Sequence, residues 1–526
     1  MAGPGSKDAV VIGAGPNGLV AANLLVDAGW DVLVLETQPE VGGAVRTDTD
    51  VAEGFVHDAF SAFYPLSAAS PVIPSLHLEE HGLRWAHAPA ILGNPLPDGS
   101  WAMLHRDVED TVAGLDAHAA GDGDAWRQLY DDWVTIGPSL VQALLTPFPP
   151  VKGGLATLAR LPRVGGLDYV RTLLEPASTM GGKRFAAEAG QLLIAGNALH
   201  ADIPMDASGS GLLGLLLAMS GQTVGFPVPE GGSGRLTQAM AARLRSKGGQ
   251  IRTSTRVARV LVDRRRVHGV VTADGERIEA RAVVADVAAT ALYGELVDWS
   301  ELPSRVRRGM ERYEHDPGTI KVDWALSSTV PWENPPPVAP GTVHVIDSMD
   351  QLSRTQTQIT SHSVPSDPFL LVGQMTTSDP TRSPAGTEAL WAYTHVPQVT
   401  HRDAGPDDIT GRWDRDECER MADRMQARLE KYAPDLASRI IARRVMGPHE
   451  MQARDENLVQ GALGGGTANF HQQVIFRPIA GLGRADTPVR GLFLGSASAH
   501  PGGGVHGAPG ANAARAVVAA ARTGRL

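Results

Sequence analysis

Cysteine is almost missing from this chain, at one residue in 526. The lone Cys418 excludes an intramolecular disulfide and any C-x-x-C redox pair, and with it disulfide-flavin chemistry. Positive charge is also scarce, with 47 Lys and Arg against 58 Asp and Glu and a net charge of -11. That balance excludes nucleic acid as a partner, because neutralising phosphates requires a basic face. Long apolar runs are absent as well. The most apolar stretch, Gly209 to Met219, falls well short of the roughly 20 residues of a spanning helix and reads as a core or pocket helix. Met1 to Lys7 is short, polar and glycine-rich, with no apolar signal region, so the expected location is cytoplasmic. No Ser-His-Asp or metal-ligand spacing is found, and no internal repeat.

Glycine, by contrast, is abundant at 59 residues and clusters in loops. The first cluster lies in Asp8 to Glu36, where the strand-like run Ala9 to Ile12 meets Gly13-Ala14-Gly15-Pro16-Asn17-Gly18, then a helical stretch and a second apolar run ending in Glu36. This is a nucleotide-binding βαβ unit. Gly13 permits the tight turn, Gly15 leaves room for a pyrophosphate, and Gly18 lets helix and strand pack closely. The helix N-terminus offers free N–H groups to phosphate. Glu36, about twenty residues on, accepts from ribose hydroxyls and repels a 2′-phosphate.

Directly after it comes Pro39-Glu40-Val41-Gly42-Gly43-Ala44-Val45-Arg46-Thr47, a second glycine turn followed by a cation. A nicotinamide site does not need this turn, whereas a permanently held FAD gains a second cover and a guanidinium for its diphosphate. Near the other end, Thr487 to Ala497 reads as a loop feeding a short apolar strand, and the glycine-dense run His500 to Asn512 opens an alanine-rich helix. Backbone donors in such a loop suit the flavin ring edge and ribityl chain.

These three pieces resemble the FAD-dependent phytoene desaturase family within the amine oxidase-like flavoproteins. The C-terminal loop is most similar to the branch with carotene ketolases and animal mitochondrial desaturase-like oxidoreductases. Gly464-Gly465-Gly466, Arg477-Pro478 and Val228 to Gly234 extend the resemblance over nearly the whole chain. It implies that Gly13, Gly15, Pro16, Asn17, Gly18, Glu36, Gly42, Gly43, Arg46, Val257, Gly495, Ser496, Gly503, Gly504 and Val505 line the FAD, with the Val257 backbone at the adenine. Ser496 departs from the family pattern, which often has an acid after the glycine that corresponds to Gly495.

The fold class expected is α/β, with a discontinuous Rossmann-type FAD-binding domain (1–47, 230–296 and 444–526) and an α+β substrate domain (48–229 and 302–443). Leu236 to Lys247 and Asp416 to Lys431 read as helices. Gln250 to Val262, Val267 to Thr272 and Arg277 to Val284 read as strands, with an Asp274-Gly275 hairpin turn. Ser139 to Leu174 combines many Leu and Val with Lys152, Arg160, Arg163 and Arg171 against Asp168 alone. Such a segment suits either an anionic bilayer surface or a pocket-closing loop.

Because a flavin carries its own redox chemistry, the protein's task is to hold a substrate C–H bond near N5. Lys321, in Gly318 to Trp324, resembles the amine oxidase lysine that holds a water against N5; a solvent-facing lysine on an edge strand is the equal alternative. His506 is a candidate proton donor or acceptor, set against a loop histidine bonded to backbone. His200 is a weaker pocket candidate, His500 a loop-fixing residue, and His471 a loop residue. The resemblance implies hydride transfer from an apolar, isoprenoid or carotenoid-like substrate. A ketolase, an amine oxidase and a flavin-binding regulator without turnover stay open as alternatives, although an aromatic content of 5% leaves few residues beyond Phe60, Phe63, Tyr64 and Trp391 to wall an amine. The oligomeric state stays open.

Overall fold

The computed structural model describes residues 6–526, so the first five residues of the Met1 to Lys7 stretch lie outside the described residues. Two seven-stranded sheets organise the chain. In chain order their strands are β1 (Lys7–Ile12), β2 (Val32–Leu35), β3 (Ala90–Pro95), β4 (Trp101–Leu104), β5 (Gln250–Arg252), β6 (Val257–Asp263), β7 (Arg266–Thr272), β8 (Arg277–Ala285), β9 (Gly318–Leu326), β10 (Pro340–Val345), β11 (Leu370–Gln374), β12 (Glu388–Val396), β13 (Ile440–Met446) and β14 (Leu492–Leu494). The helices needed below are α1 (Pro16–Asp27), α2 (Asp122–Leu145), α3 (Val151–Arg160), α4 (Leu167–Leu174), α5 (Glu188–Ala198), α6 (Ser210–Val224), α7 (Gly234–Ser246), α8 (Arg415–Glu430) and α9 (Ala508–Arg522).

The first sheet runs β6-β7-β8-β1-β2-β5, with β14 beside the end of β8. Its centre is parallel: β1 pairs with β2 and β8, β2 with β5, and β8 with β14. Parallel strands covered on both faces need continuous apolar runs, and Val32–Leu35 is buried at every position. One face packs on α1, α7 and α9 through Leu19, Leu236, Met240, Ala511 and Val517. The other packs on the segment after β8 through Leu292, Tyr293 and Leu296. The architecture is thus a Rossmann-like sheet built from both ends of the chain and its middle.

The second sheet runs β13-β9-β12-β11-β10-β3-β4. Its two faces differ. Ile320, Val322, Trp324, Leu390 and Val372 pack on Met421, Met425 and Leu429 of α8 as an apolar core. The opposite face carries Lys321, Asp323, Trp391, Tyr393 and His395. Helices α2, α5 and α6 cover the far end.

Two expectations are corrected. Gln250 to Val262 is not one strand: it breaks between β5 and β6, where Ser254 takes φ 49° and donates its N–H to Gln38 O. The boundary at residue 444 falls inside β13, which pairs with β9 in the second sheet. Both features come from distant pairing, which leaves no local signal. Among the described residues no helix is long and apolar enough to cross a membrane.

Candidate active site and dinucleotide cleft

The glycines of the first turn are set by space. Gly13 takes φ 94°, and a Cβ on Gly18 would overlap the Gly13 carbonyl. Gly15 precedes α1, and Pro16 fills its first position, where the missing N–H costs nothing. The first turn of α1 holds no acid of its own and no side-chain cap. Gly18 N–H donates to Asp286 Oδ2, and the start of α1 faces a cleft lined by Gly13, Gly15, Asn17, Glu36, Val257 and Asp286. Further along, the same cleft meets Arg454, Asp455, Gly465, Ser496 and Gly504.

The second glycine turn lies against the first. Gly42 takes φ 132° and donates its N–H to Ala14 O at 2.9 Å, while a Cβ on Gly43 would come within 3.1 Å of Gly15 Cα. Arg46 is buried, donates to Arg454 O at 2.9 Å, and keeps a buried Nε without a partner. The guanidinium groups of Arg46 and Arg454 both lie over the Phe60 ring, 5.6 and 5.7 Å from its centroid. Two cations at the diphosphate end, one with an unused donor, fit a doubly charged group.

At the adenosine end, Glu36 is buried and its carboxylate accepts from Ala14 N at 2.7 Å and Gln38 N at 2.8 Å. Those bonds fix it at the end of β2 and leave lone pairs for ribose hydroxyls. Val257 and Arg256 stand on the same wall.

The flavin end is formed by two loops. Gly495 donates to Ala285 O at 2.8 Å, and Ser498 donates to Gly465 O at 3.0 Å. A Cβ on Gly503 would lie 2.8 Å from Gly464 Cα, so the loops touch through backbone. Val505 accepts from Ser67. Buried Arg477 spends its guanidinium on the carbonyls of Gly464, Gly466, Thr467 and Ala497, at 2.7 to 3.2 Å. It staples one loop to the other.

His506 is buried, and its Nδ1 accepts from Ala508 N at 3.1 Å, capping α9. Burial pushes it down to about 4, against a hydrogen bond to the Gly503 backbone. The ring is thus hydrogen-bonded within its own loop. His500 lies 2.9 Å from Thr146 O and ties the same loop to the end of α2. His471 is exposed beside Glu314 at 3.0 Å.

Lys321 lies on β9 between β12 and β13, 2% exposed, so the solvent-facing edge alternative is wrong. It is ion-paired with Asp323 two residues on, and its Nζ is 6.0 Å from the Trp391 ring centroid. Burial opposes the charge on Asp323, but Lys321, His57 and Arg444 hold its carboxyl well below the usual range. His200 is half-buried, with Nε2 3.0 Å from His344 Nε2 and Nδ1 3.5 Å from the Tyr393 hydroxyl. Burial, then His395, pushes His200 down to about 4, so it is neutral at pH 7.

Three residues of the cleft were not picked out from the sequence as ligands: Asp286, Asp455 and Arg454. Asp286 had a signal, since it follows the apolar β8 as Glu36 follows β2. Burial, then Asp455 and Glu36, raises Asp286 to about 8, and burial chiefly raises Asp455 to about 6. Asp455 and Arg454 sit on an irregular segment whose return to the cleft has no local signature.

The comparisons with known proteins agree with this geometry. Residues 11–79 match the NAD(P)-binding Rossmann-like domain and residues 170–416 the flavin containing amine oxidoreductase model. The chain is 27% identical to mouse (Mus musculus) pyridine nucleotide-disulfide oxidoreductase domain-containing protein 2, over 97% of this chain and 93% of that protein. It is 24% identical to a phytoene desaturase of Fusarium fujikuroi, over 95% and 86% respectively. A putrescine oxidase variant shares the fold with a TM-score of 0.61 at 16% identity, covering 98% of this chain and 99% of that one. Over nearly its whole length the chain is similar to phytoene desaturase-like flavoproteins, its middle matches the flavin containing amine oxidoreductase model, and it is an FAD-dependent oxidoreductase.

Proposed function

We propose that the protein dehydrogenates an apolar, isoprenoid-like substrate. The observation that carries this reading is full-length similarity to a phytoene desaturase joined to an intact dinucleotide cleft. Bound FAD supplies a two-electron acceptor for a hydride leaving a substrate carbon. The chain's own part is positioning. The turns at Gly15 and Gly43, with Arg46 and Arg454, hold the diphosphate, and Glu36 orients the ribose. The loops joined by Arg477 present backbone to the ring. Phe55, Ala62, Val228, Met375 and Trp391 pack together as a buried apolar cluster against the second sheet.

A second reading, an oxygen-using amine oxidase, draws on one feature. Trp391 and Tyr393 stack at 5.8 Å with 18° between planes, beside Lys321, and Phe63 lies 6.1 Å from Trp391. That arrangement suits an amine better than the low aromatic content implies. A carotene ketolase is a third outcome of the same test. Anaerobic bleaching of the flavin by extracted lipids, with product mass, decides among them. We expect loss of two hydrogens; bleaching by amines alone, or gain of oxygen in air, overturns the dehydrogenase reading. A protein never reduced by lipid or amine favours a binding role.

The segment 139–174 supports a membrane-surface location. Val151, Leu155, Leu158, Leu167 and Leu174 are more than half exposed on α3, α4 and the adjoining turns. Lys152, Arg160, Arg163 and Arg171 flank them, as an amphipathic anchor on anionic lipid requires.

A further inference from the structure

Asp286 stands at the centre of the diphosphate seat. Its main chain is pinned on both sides: its N–H donates to Ile12 O at 2.8 Å, and its carbonyl accepts from Asn457 Nδ2 at 3.1 Å. Its side-chain Oδ2 accepts from Gly18 N at 2.7 Å, inside the first turn of α1. A Cβ placed on Gly15 would lie 2.9 Å from that same oxygen. The carboxyl therefore borders the gap that Gly15 keeps open for the cofactor. Among the described residues nothing donates to Oδ1, although the residue is only 6% exposed and lines the cleft.

The charges around it are mixed. Glu36 faces it from the end of β2, and Asp455 and Glu456 from the segment after Arg454. Arg454 and Arg256 line the same cleft, as does Glu295 from beyond β8, while Arg46 lies behind the second glycine turn with its guanidinium over Phe60. None of these cations forms an ion pair with Asp286: Arg46 reaches toward Glu40, Arg454 binds Asp48, and Arg256 binds Glu456. An ionised Asp286 would compete with the diphosphate for the positive end of α1 and repel it. A protonated carboxyl does the opposite, because it has a hydrogen to give.

We propose that Asp286 binds the FAD diphosphate as a carboxylic acid, with Oδ1–H donating to a diphosphate oxygen while Oδ2 accepts from Gly18 N, so that this proton governs cofactor retention. Burial, then the like charges of Asp455 and Glu36, raises the group to about 8, so the proton is present at neutral pH and lost as pH rises. The sign follows from linkage: the form that binds carries one more proton than the form that does not, so affinity falls above that value.

The test is FAD binding to apoprotein, followed by quenching of flavin fluorescence from about pH 6 to about pH 9.5, with no turnover involved. We expect a constant Kd near neutrality and a loss of about tenfold per pH unit above the titration point. Asp286→Asn, whose amide donates without titrating, should give a Kd that stays flat from neutral pH to the alkaline end. Asp455→Asn removes a like charge and should move the wild-type break to lower pH. A wild-type Kd flat over the whole range overturns the proposal, as does an Asp286→Asn variant that keeps the wild-type slope. Should Asp286→Asn not fold, the wild-type slope and the Asp455→Asn displacement decide. Failure to take up FAD at any pH would instead overturn the cofactor assignment itself.

Discussion

At Gly15 the backbone is ordinary, with φ -69° and ψ 174°, so any residue fits the conformation and the restriction is spatial. A side chain there points at Asp286 and into the cleft. Gly15→Val should therefore fold normally yet bind FAD at least about tenfold more weakly, a change of ~1.4 kcal/mol or more; the flavin-to-protein absorbance ratio after purification measures it. Normal occupancy would misplace the diphosphate. Asp323 makes a second prediction. Replacing it with Asn leaves Lys321 buried without its carboxylate, which costs ~3 kcal/mol. Its depressed carboxyl contributes stability that is complete above the ordinary carboxylate range and is lost as pH falls through the lower folded-state value. Wild-type melting should thus fall on acidification, and the part due to this group should vanish in Asp323→Asn.

Among the elements, those with local signals were legible. The β1–α1–β2 unit was readable because three glycines, a helix and a terminal acid stand within one short stretch, and their physical tasks do not depend on the rest of the chain. The helix over Asp416 to Lys431 appears as Arg415–Glu430, with Asp414 capping Glu417 N. The second sheet was not legible as a whole. Pairing of Ala90–Pro95 with Pro340–Val345 joins residues far apart, and no alternation in either strand says which neighbour it takes. The same limit hid Asp455. It also left Lys321 undecided between edge and interior, since burial depends on β12 and β13 arriving on either side. Helices α3 and α4 carry a prediction of their own. Leu155→Glu with Leu158→Glu should reduce sedimentation with anionic vesicles several-fold while leaving the melting temperature within a few degrees, because both side chains are 62% exposed. Unchanged vesicle binding would remove this surface from consideration.

Across the whole molecule, the two ends of the chain are interdependent. A Cβ on Gly510 of α9 would overlap the Asn17 carbonyl of α1, and β14 extends the same sheet beside β8. Ala511, Ala514 and Val517 fill the core against Leu19 and Val20. Removing residues 508–526 should do more than shorten the protein: it strips α1 of its cover, abolishes FAD retention and lowers the melting temperature by well over 10 °C, on the order expected for loss of several buried side chains. Calorimetry of the truncated chain with and without added FAD checks this.

That dependence orders events during synthesis. When the glycine turn leaves the ribosome, the helix that walls it is still nearly five hundred codons away, so the nascent chain holds an apolar sheet face with nothing to rest on. Cofactor capture then waits until α9 has been made and has docked on α1, and a cell short of riboflavin would accumulate empty chains.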